Sequence, residues 1–231
     1  MKIKSQDELN QRYEIKFFVE NISVHRMESL VSMNPAMFKE IFYMRYVNNI
    51  YYDSISLKNY HDNVDGATNR NKYRVRWYGN LFGKIEHPIF EIKTKRGLIG
   101  TKQSFPLYPF EVTSENFTES FDESISQSKL PQELIEIIQY LKPTLLNRYS
   151  RQYYLSSDNH YRITLDYNQE FMGISKNNNT FQKKCFDSIN TILELKYDKK
   201  FSANAHAITN EYPFRVTKSS KYVRGIEKIY Y

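Results

Sequence analysis

Between Arg12 and Glu20 the chain alternates, with Tyr13, Ile15 and Phe17 on one parity and Arg12, Glu14 and Lys16 on the other. Side chains two apart on a strand share a face, so this pattern predicts a strand with one apolar and one charged side. A period of two recurs in Arg70 to Tyr78, Ile89 to Lys95, Tyr161 to Tyr167 and Ile189 to Tyr197. Glu40 to Asp53 is long, aromatic and β-branched and also reads as a strand, as do Lys102 to Leu107 and Leu145 to Ser156. Turn residues separate these runs: Asp65-Gly66, Gly79 and Gly83 with Pro88, Arg96-Gly97 with Gly100, and Ser157-Asp158-Asn159 at a hairpin tip. A spacing of three and four marks helices. Ser23 opens one carrying Val24, Met27, Leu30 and Val31, and Asn34-Pro35 closes it. Pro131 opens another with Leu134, Ile135, Ile138 and Leu141, ended by Pro143. Short helices are predicted over Ser56 to Asn63 and Ala203 to Asn210, and a last segment runs to the Lys218 region. Asn177-Asn178-Asn179 reads as a polar loop. Strands outnumber helices and many are antiparallel neighbours, which predicts an α+β fold on an antiparallel sheet, one domain over residues 1–231.

Composition supports the sheet and adds a charge. The 231 residues include 20 Tyr and 15 Phe against 7 Gly, a bias toward pleated, half-buried surfaces. Lys plus Arg number 33 against 26 Asp plus Glu, a net charge of +7, which points to an anionic partner: nucleic acid, phosphate or an acidic membrane surface. Cys185 is the only cysteine, so no intrachain disulfide is expected. The N-terminal residues carry no apolar stretch of signal-peptide type and no window has the length of a membrane span, so the expected location is cytoplasmic. His25, His61, His87, His160 and His206 are scattered, without metal-ligand spacing. Trp77 and the tyrosines offer base-stacking surfaces, but aromatics on strands are more often core, and no nucleic-acid motif is visible.

The position of the charges narrows the partner. Arg12, Glu14 and Lys16 share a face, as do Arg74 and Arg76, then Glu91, Lys93 and Lys95, then Arg162, Thr164 and Asp166, then Glu194 and Lys196. For any one strand a solvated face is the ordinary reading. Five strands repeating Arg, Lys and Glu in one frame favour a shared charged surface, which becomes an interior if the sheet closes. A charged interior is costly unless paired, hydrated or filled by an anion and a metal. Arg forks grip phosphate oxygens, Lys supplies point charges and carboxylates hold a divalent cation, so these rows predict a polyphosphate or nucleoside triphosphate site.

Seven pieces, in order, carry a resemblance. They are Arg12-Tyr13-Glu14-Ile15-Lys16-Phe17, Tyr73-Arg74-Val75-Arg76-Trp77-Tyr78, Phe90-Glu91-Ile92-Lys93-Thr94-Lys95, Tyr149-Ser150-Arg151, Tyr161-Arg162-Ile163-Thr164-Leu165-Asp166, Leu193-Glu194-Leu195-Lys196 and Lys218-Ser219-Ser220-Lys221-Tyr222. The set resembles the VTC (vacuolar transporter chaperone) domain, the polyphosphate polymerase domain of the triphosphate tunnel metalloenzymes. That resemblance implies an eight-stranded antiparallel tunnel barrel with flanking helices. It implies transfer of the γ-phosphoryl group of ATP to a growing inorganic polyphosphate chain, with Mn²⁺ or Mg²⁺. Phosphate ligands by motif position would be Lys16, Arg74, Arg76, Lys93, Arg151, Arg162, Lys218 and Lys221, with Lys102 at a further basic position and Lys196 beside the metal carboxylate. Tyr149 and Ser220 would add hydroxyl contacts. Glu194 would be the main metal carboxylate. Arg12 and Glu14 would orient Lys16 or touch phosphate and metal themselves.

Two departures frame the alternatives. Hydrolytic members of the superfamily open with E-x-E-x-K, whereas the first acidic position here is Arg12. This disfavours a triphosphatase. Family polymerase complexes also carry membrane and regulatory domains, so any coupled translocation would need a separate membrane-protein partner. A triphosphate or tripolyphosphate hydrolase on the same scaffold, and a non-catalytic polyphosphate sensor that regulates a membrane partner, stand beside the polymerase reading.

Overall fold

The computed structural model describes residues 12–97, 99–115, 117–175 and 180–231. Asn177-Asn178-Asn179 therefore lies outside the described residues. Among those described, the strands are β1 (Arg12–Val19), β2 (Lys39–Asp53), β3 (Asn69–Tyr78), β4 (Gly83–Ile85), β5 (Ile89–Arg96), β6 (Ile99–Pro106), β7 (Phe110–Val112), β8 (Lys142–Leu155), β9 (Tyr161–Ile174), β10 (Phe181–Asp187) and β11 (Thr191–Asp198). The helices are α1 (Val24–Ser32), α2 (Lys58–Val64), α3 (Thr118–Gln127), α4 (Gln132–Tyr140), α5 (Ser202–Asn210) and α6 (Lys221–Tyr230).

The main sheet has nine strands, in the hydrogen-bonded order β1-β11-β9-β8-β2-β3-β5-β6, with β10 on β9, and β4 and β7 form a separate ribbon. Every register described within it is antiparallel. The ninth strand corrects the count of eight. It is β10, whose Gln182-Lys183-Lys184 run shows no apolar alternation. Strand β9 also runs to Ile174 instead of stopping near Tyr167. Asn168 takes a left-handed φ of 49° and lets the strand continue past a polar pair that reads as a terminus. No described helix is long and apolar enough to cross a membrane.

The chain divides into two compact units, while β2, β8, β9 and β10 each contribute residues to both. The first holds the described residues up to Arg45, with Ser150–Asn168 and Asp187–Ser219. Its core lies on one face of β1, β11 and β9, where Phe17, Ile163, Leu165, Leu193 and Leu195 pack with Met27 and Val31 of α1 and Ala205 and Ile208 of α5. Ser23 caps α1 by accepting from Arg26 N, as its sequence predicts.

The second unit holds Tyr46–Tyr149, Gln169–Phe186 and Ser220–Tyr231. Its larger core packs Val75, Trp77, Phe90 and Ile92 against Phe117, Phe121 and Ile125 around α3 and Leu134 and Ile138 of α4. A smaller cluster seats α6, with Tyr222, Ile226 and Ile229 on Tyr51, Leu145 and Phe171. Gly225 makes that seating tight: a Cβ there would lie 2.3 Å from Leu145 Cδ2 and 2.6 Å from Phe171 Cδ1. Asp53 ties the pieces together. Its carboxylate accepts from Ser54 N, Asn59 N and Tyr60 N at the start of α2, and from the Tyr222 hydroxyl of α6.

Candidate functional site

In the first unit the apolar parity of β1, β9 and β11 faces the core, so the charged parity is gathered on the other face. Register then decides who meets whom. Glu14 stands opposite Lys196, which stands opposite Arg162; in the next row Lys16 stands opposite Glu194, which stands opposite Thr164. Opposite charges directly across strands attract. The Lys16 ammonium lies 2.5 Å from Glu14 Oε1 and 2.8 Å from Glu194 Oε1, while Lys196 Nζ lies 2.7 Å from Glu194 Oε2. Arg151 donates Nε to Asp166 Oδ1 at 2.5 Å and Nη2 to Asp166 Oδ2 at 2.6 Å, a bidentate fork, and its Nη2 is 3.9 Å from Glu194.

Burial alone would lift the Glu194 carboxyl, but Lys196, Lys16 and Arg151 hold it well below the usual carboxylate range. Burial alone would likewise lower Lys16; Glu194 and Glu14 outweigh it and raise the ammonium above its ordinary value. Three cations here meet three carboxylates, Glu14, Asp166 and Glu194, so the cluster is close to neutral.

The second unit has the opposite balance. Arg74, Glu91 and Ser104 stand in one row across β3, β5 and β6, and Lys72, Lys93 and Lys102 in the next. Lysines directly opposite one another repel, so this row concentrates positive charge. Glu91 is the buried centre of the cluster. Arg74 donates Nε to Glu91 Oε2 at 2.8 Å and brings Nη2 to 2.6 Å; Arg76 Nη2 lies 2.9 Å from Oε1, and Lys102 Nζ 2.5 Å from the same oxygen. Against the upward push of burial, Arg74, Lys102 and Arg76 bring the Glu91 pKa down to about 2. Three cations on one carboxylate leave a net charge of +2. The buried Arg76 Nε has no hydrogen-bond partner among the described residues.

Helix α6 completes this cluster from the chain's end. Ser220 caps it by accepting from Val223 N, and the same hydroxyl accepts from Lys72 Nζ at 2.8 Å. Lys221 begins the helix with its ammonium 4.5 Å above the Tyr149 ring. Tyr149 is buried.

The sequence-predicted residues therefore fall into two groups. Glu14, Lys16, Arg151, Arg162, Glu194 and Lys196 gather in the first unit, and Arg74, Arg76, Lys93, Lys102, Tyr149, Ser220 and Lys221 in the second. Lys218 is exposed on the segment beside β1, where Thr217 N donates to Lys16 O and Val216 bridges Phe17. Arg12 is on β1 opposite Asp198, and its side chain lies outside the described residues. Three residues that matter to the geometry were not assigned roles from sequence: Glu91, Asp166 and Lys72. Glu91 and Asp166 were visible in their rows, and Lys72 shares the parity of Arg74 and Arg76.

Glu14 and Glu194 offer hard carboxylate oxygens to one shared ammonium. Such donors fit Mn²⁺ or Mg²⁺, which take one or two carboxylates and fill their remaining positions with water and phosphate oxygens. No group of three or more His, Cys, Asp or Glu poised for a metal occurs among the described residues, so the protein would supply only that partial shell.

Comparison with known proteins places this geometry. No match was found among curated proteins. The PH1819 protein from Pyrococcus horikoshii OT3 superposes with a TM-score of 0.51 at 13% identity, covering 94% of this chain and 96% of its own. HpAC1 from Hippeastrum, an adenylyl cyclase by name with a dominant triphosphatase activity, superposes with a TM-score of 0.50 at 10% identity, covering 94% of this chain and 97% of its own. At those identities the likeness shows the fold alone, an antiparallel sheet with flanking helices. The VTC domain matches residues 11–230, and the chain belongs to that family.

Proposed function

We propose that this chain is a polyphosphate polymerase, transferring the γ-phosphoryl group of ATP to the end of a growing inorganic polyphosphate chain. The observation that carries the reading is the concentration of cations around one carboxylate. Lys72, Lys93 and Lys102 stand side by side, next to an Arg74–Arg76–Glu91–Lys102 cluster of net charge +2 whose buried Arg76 Nε has no hydrogen-bond partner among the described residues. A polyanion with closely spaced oxygens answers all of these groups at once.

In this mechanism a terminal oxygen of the polyphosphate chain forms a bond to the γ-phosphorus while the bond to the β–γ bridging oxygen breaks. ADP leaves and the chain is one phosphate longer. The transition state spreads charge over the phosphoryl oxygens, so catalysis rests on alignment and charge neutralisation with no protein nucleophile. Arg74, Arg76, Lys93 and Lys102 bind phosphate oxygens, with Tyr149, Ser220 and Lys221 beside them. Lys16, Arg151, Arg162, Lys196 and Lys218, with Arg12, serve the same substrate class in the first unit. A divalent ion held by Glu194 and Glu14 would neutralise phosphate charge when bound.

Transfer to phosphate is favoured over transfer to water by the state of the carboxylates. Glu91 near 2 and Glu194 well below the usual range are poor proton acceptors, so neither is suited to activate water. Priming tests the acceptor. Short polyphosphate added with ATP should raise the rate of ADP release, because it supplies the attacking oxygen. A rate indifferent to primer would count for hydrolysis and against this reading.

A further inference from the structure

Asn49 lies on β2 directly opposite Arg76 of β3, and Tyr51, two residues on, lies opposite Arg74. Residues directly opposite across an antiparallel pair share a face, so Asn49 belongs to the surface that carries both arginines. Its side chain is fully buried, as is that of Asn147 on β8. A relay within the second unit fixes which end of each amide points where. Asn147 Nδ2 donates to the Glu170 carbonyl at 3.0 Å, and a carbonyl can only accept. The oxygen of Asn147 is left to accept, and Asn49 Nδ2 donates to it at 3.4 Å. Flipping either amide would set two acceptors against each other. Asn49 Oδ1 is therefore committed as an acceptor, and it has no hydrogen-bond partner among the described residues. Arg76 Nε, from the opposite residue, is a buried donor in the same condition.

A buried acceptor is an unusual neighbour for Arg74, Arg76 and Lys102, and leaving it unpaired is costly. The cations attract an anion, but an anion bearing only lone pairs would set them against the Asn49 oxygen. A phosphate oxygen that still carries its proton answers both groups: it accepts from Arg76 Nε and donates its O–H to Asn49 Oδ1. We propose that Asn49 is a specificity-determining residue of the phosphate site, accepting from the P–OH of a singly protonated terminal phosphate held by Arg76. A terminal phosphate has a second ionisation close to neutral pH, with a pKa of about 6 in phosphorylated side chains. Internal phosphates of a chain keep no proton there. The subsite thus reads the end of a phosphate chain, whether the γ-phosphate of ATP or the terminus of polyphosphate. The inference rests on the placing of phosphate at Arg76 in the polymerase reading.

Two simple anions test it on the wild-type chain. At about pH 8 hydrogen phosphate and sulfate share charge and shape, and hydrogen phosphate alone has a proton to donate. Used as competitors of tripolyphosphate in calorimetry, hydrogen phosphate should bind about tenfold tighter than sulfate, the scale of one hydrogen bond to a charged group. Asn49→Leu should bind the two equally. Asn147→Leu should weaken the preference as well, because it frees the Asn49 amide to turn. A merely structural role would lower the melting temperature of these variants and leave the ratio of the two anions unchanged. Should Asn49→Leu fail to fold, the wild-type comparison decides alone. The source of the phosphate follows from the same variant: weaker ATP binding assigns the γ-phosphate, and weaker tripolyphosphate binding the chain end. Equal affinity of the wild type for phosphate and sulfate, with tripolyphosphate still bound, overturns this inference and leaves the polymerase reading standing. No binding of tripolyphosphate overturns both.

Discussion

Arg76→Ala is expected to lower phosphoryl transfer from ATP by about 1,000-fold while the domain keeps its cooperative unfolding transition. Arg76 is the guanidinium whose Nε has no partner among the described residues, and its Nη2 is anchored on Glu91. Its fork is thus held in place with a donor to spare, the arrangement a phosphoryl oxygen needs. Removing it leaves Arg74 and Lys102 to neutralise Glu91, so the buried carboxylate is not stranded. Glu194→Gln should have a similar effect for a different reason. The amide keeps the volume but loses the charge that Lys16 and Lys196 address and that a divalent ion would address. Initial rates of ADP release, set beside thermal melts of the same preparations, check both. Near wild-type turnover in either variant would remove that residue from the catalytic set.

Asp53→Ala is expected to cost about 4 kcal/mol of stability, the largest effect of any single polar substitution in the second unit. The side chain is fully buried and accepts three backbone N–H groups and one phenol. Removing it strands all four donors away from water, and each stranded donor carries a desolvation cost of about 1–3 kcal/mol before relaxation. Burial and then the Asp53 charge push the Tyr222 phenol well above its ordinary pKa, so the phenol remains a donor at all working pH values. Tyr222 sits one residue after Lys221, so loosening it also frees the start of α6. Urea denaturation monitored by circular dichroism reads the loss. Tyr222→Phe should show a smaller loss, because the three backbone donors keep their acceptor. Equal stability of Asp53→Ala and wild type would show that α2 and α6 are held by packing alone.

Strand parity made the charged faces legible before any coordinates. Arg74 and Arg76, Glu14 and Lys16, and Glu194 and Lys196 fall where a period of two puts them. Pairing between strands was not legible, because register depends on contacts distant in sequence. Only the register reveals that Glu194 lies between lysines while Lys72, Lys93 and Lys102 face one another. Glu91 was visible as a member of a row, yet its place at the centre of three cations is a tertiary fact. Two helices escaped the pattern. Helix α3 buries Phe121, Ser124 and Ile125 within a run rich in Ser, Asp and Glu, so its apolar stripe is thin. Helix α6 carries Gly225 in its middle, a residue that lowers helix propensity but is needed where the helix backbone meets Leu145 and Phe171. The Ser220 cap was the signal that could have revealed it.

The most direct test of the central claim is the length of the product. Purified protein incubated with ATP and Mn²⁺ should yield phosphate chains that lengthen with time on a polyacrylamide gel, with ADP released in step. Free orthophosphate without chains, or phosphate binding with no product of either kind, would contradict it.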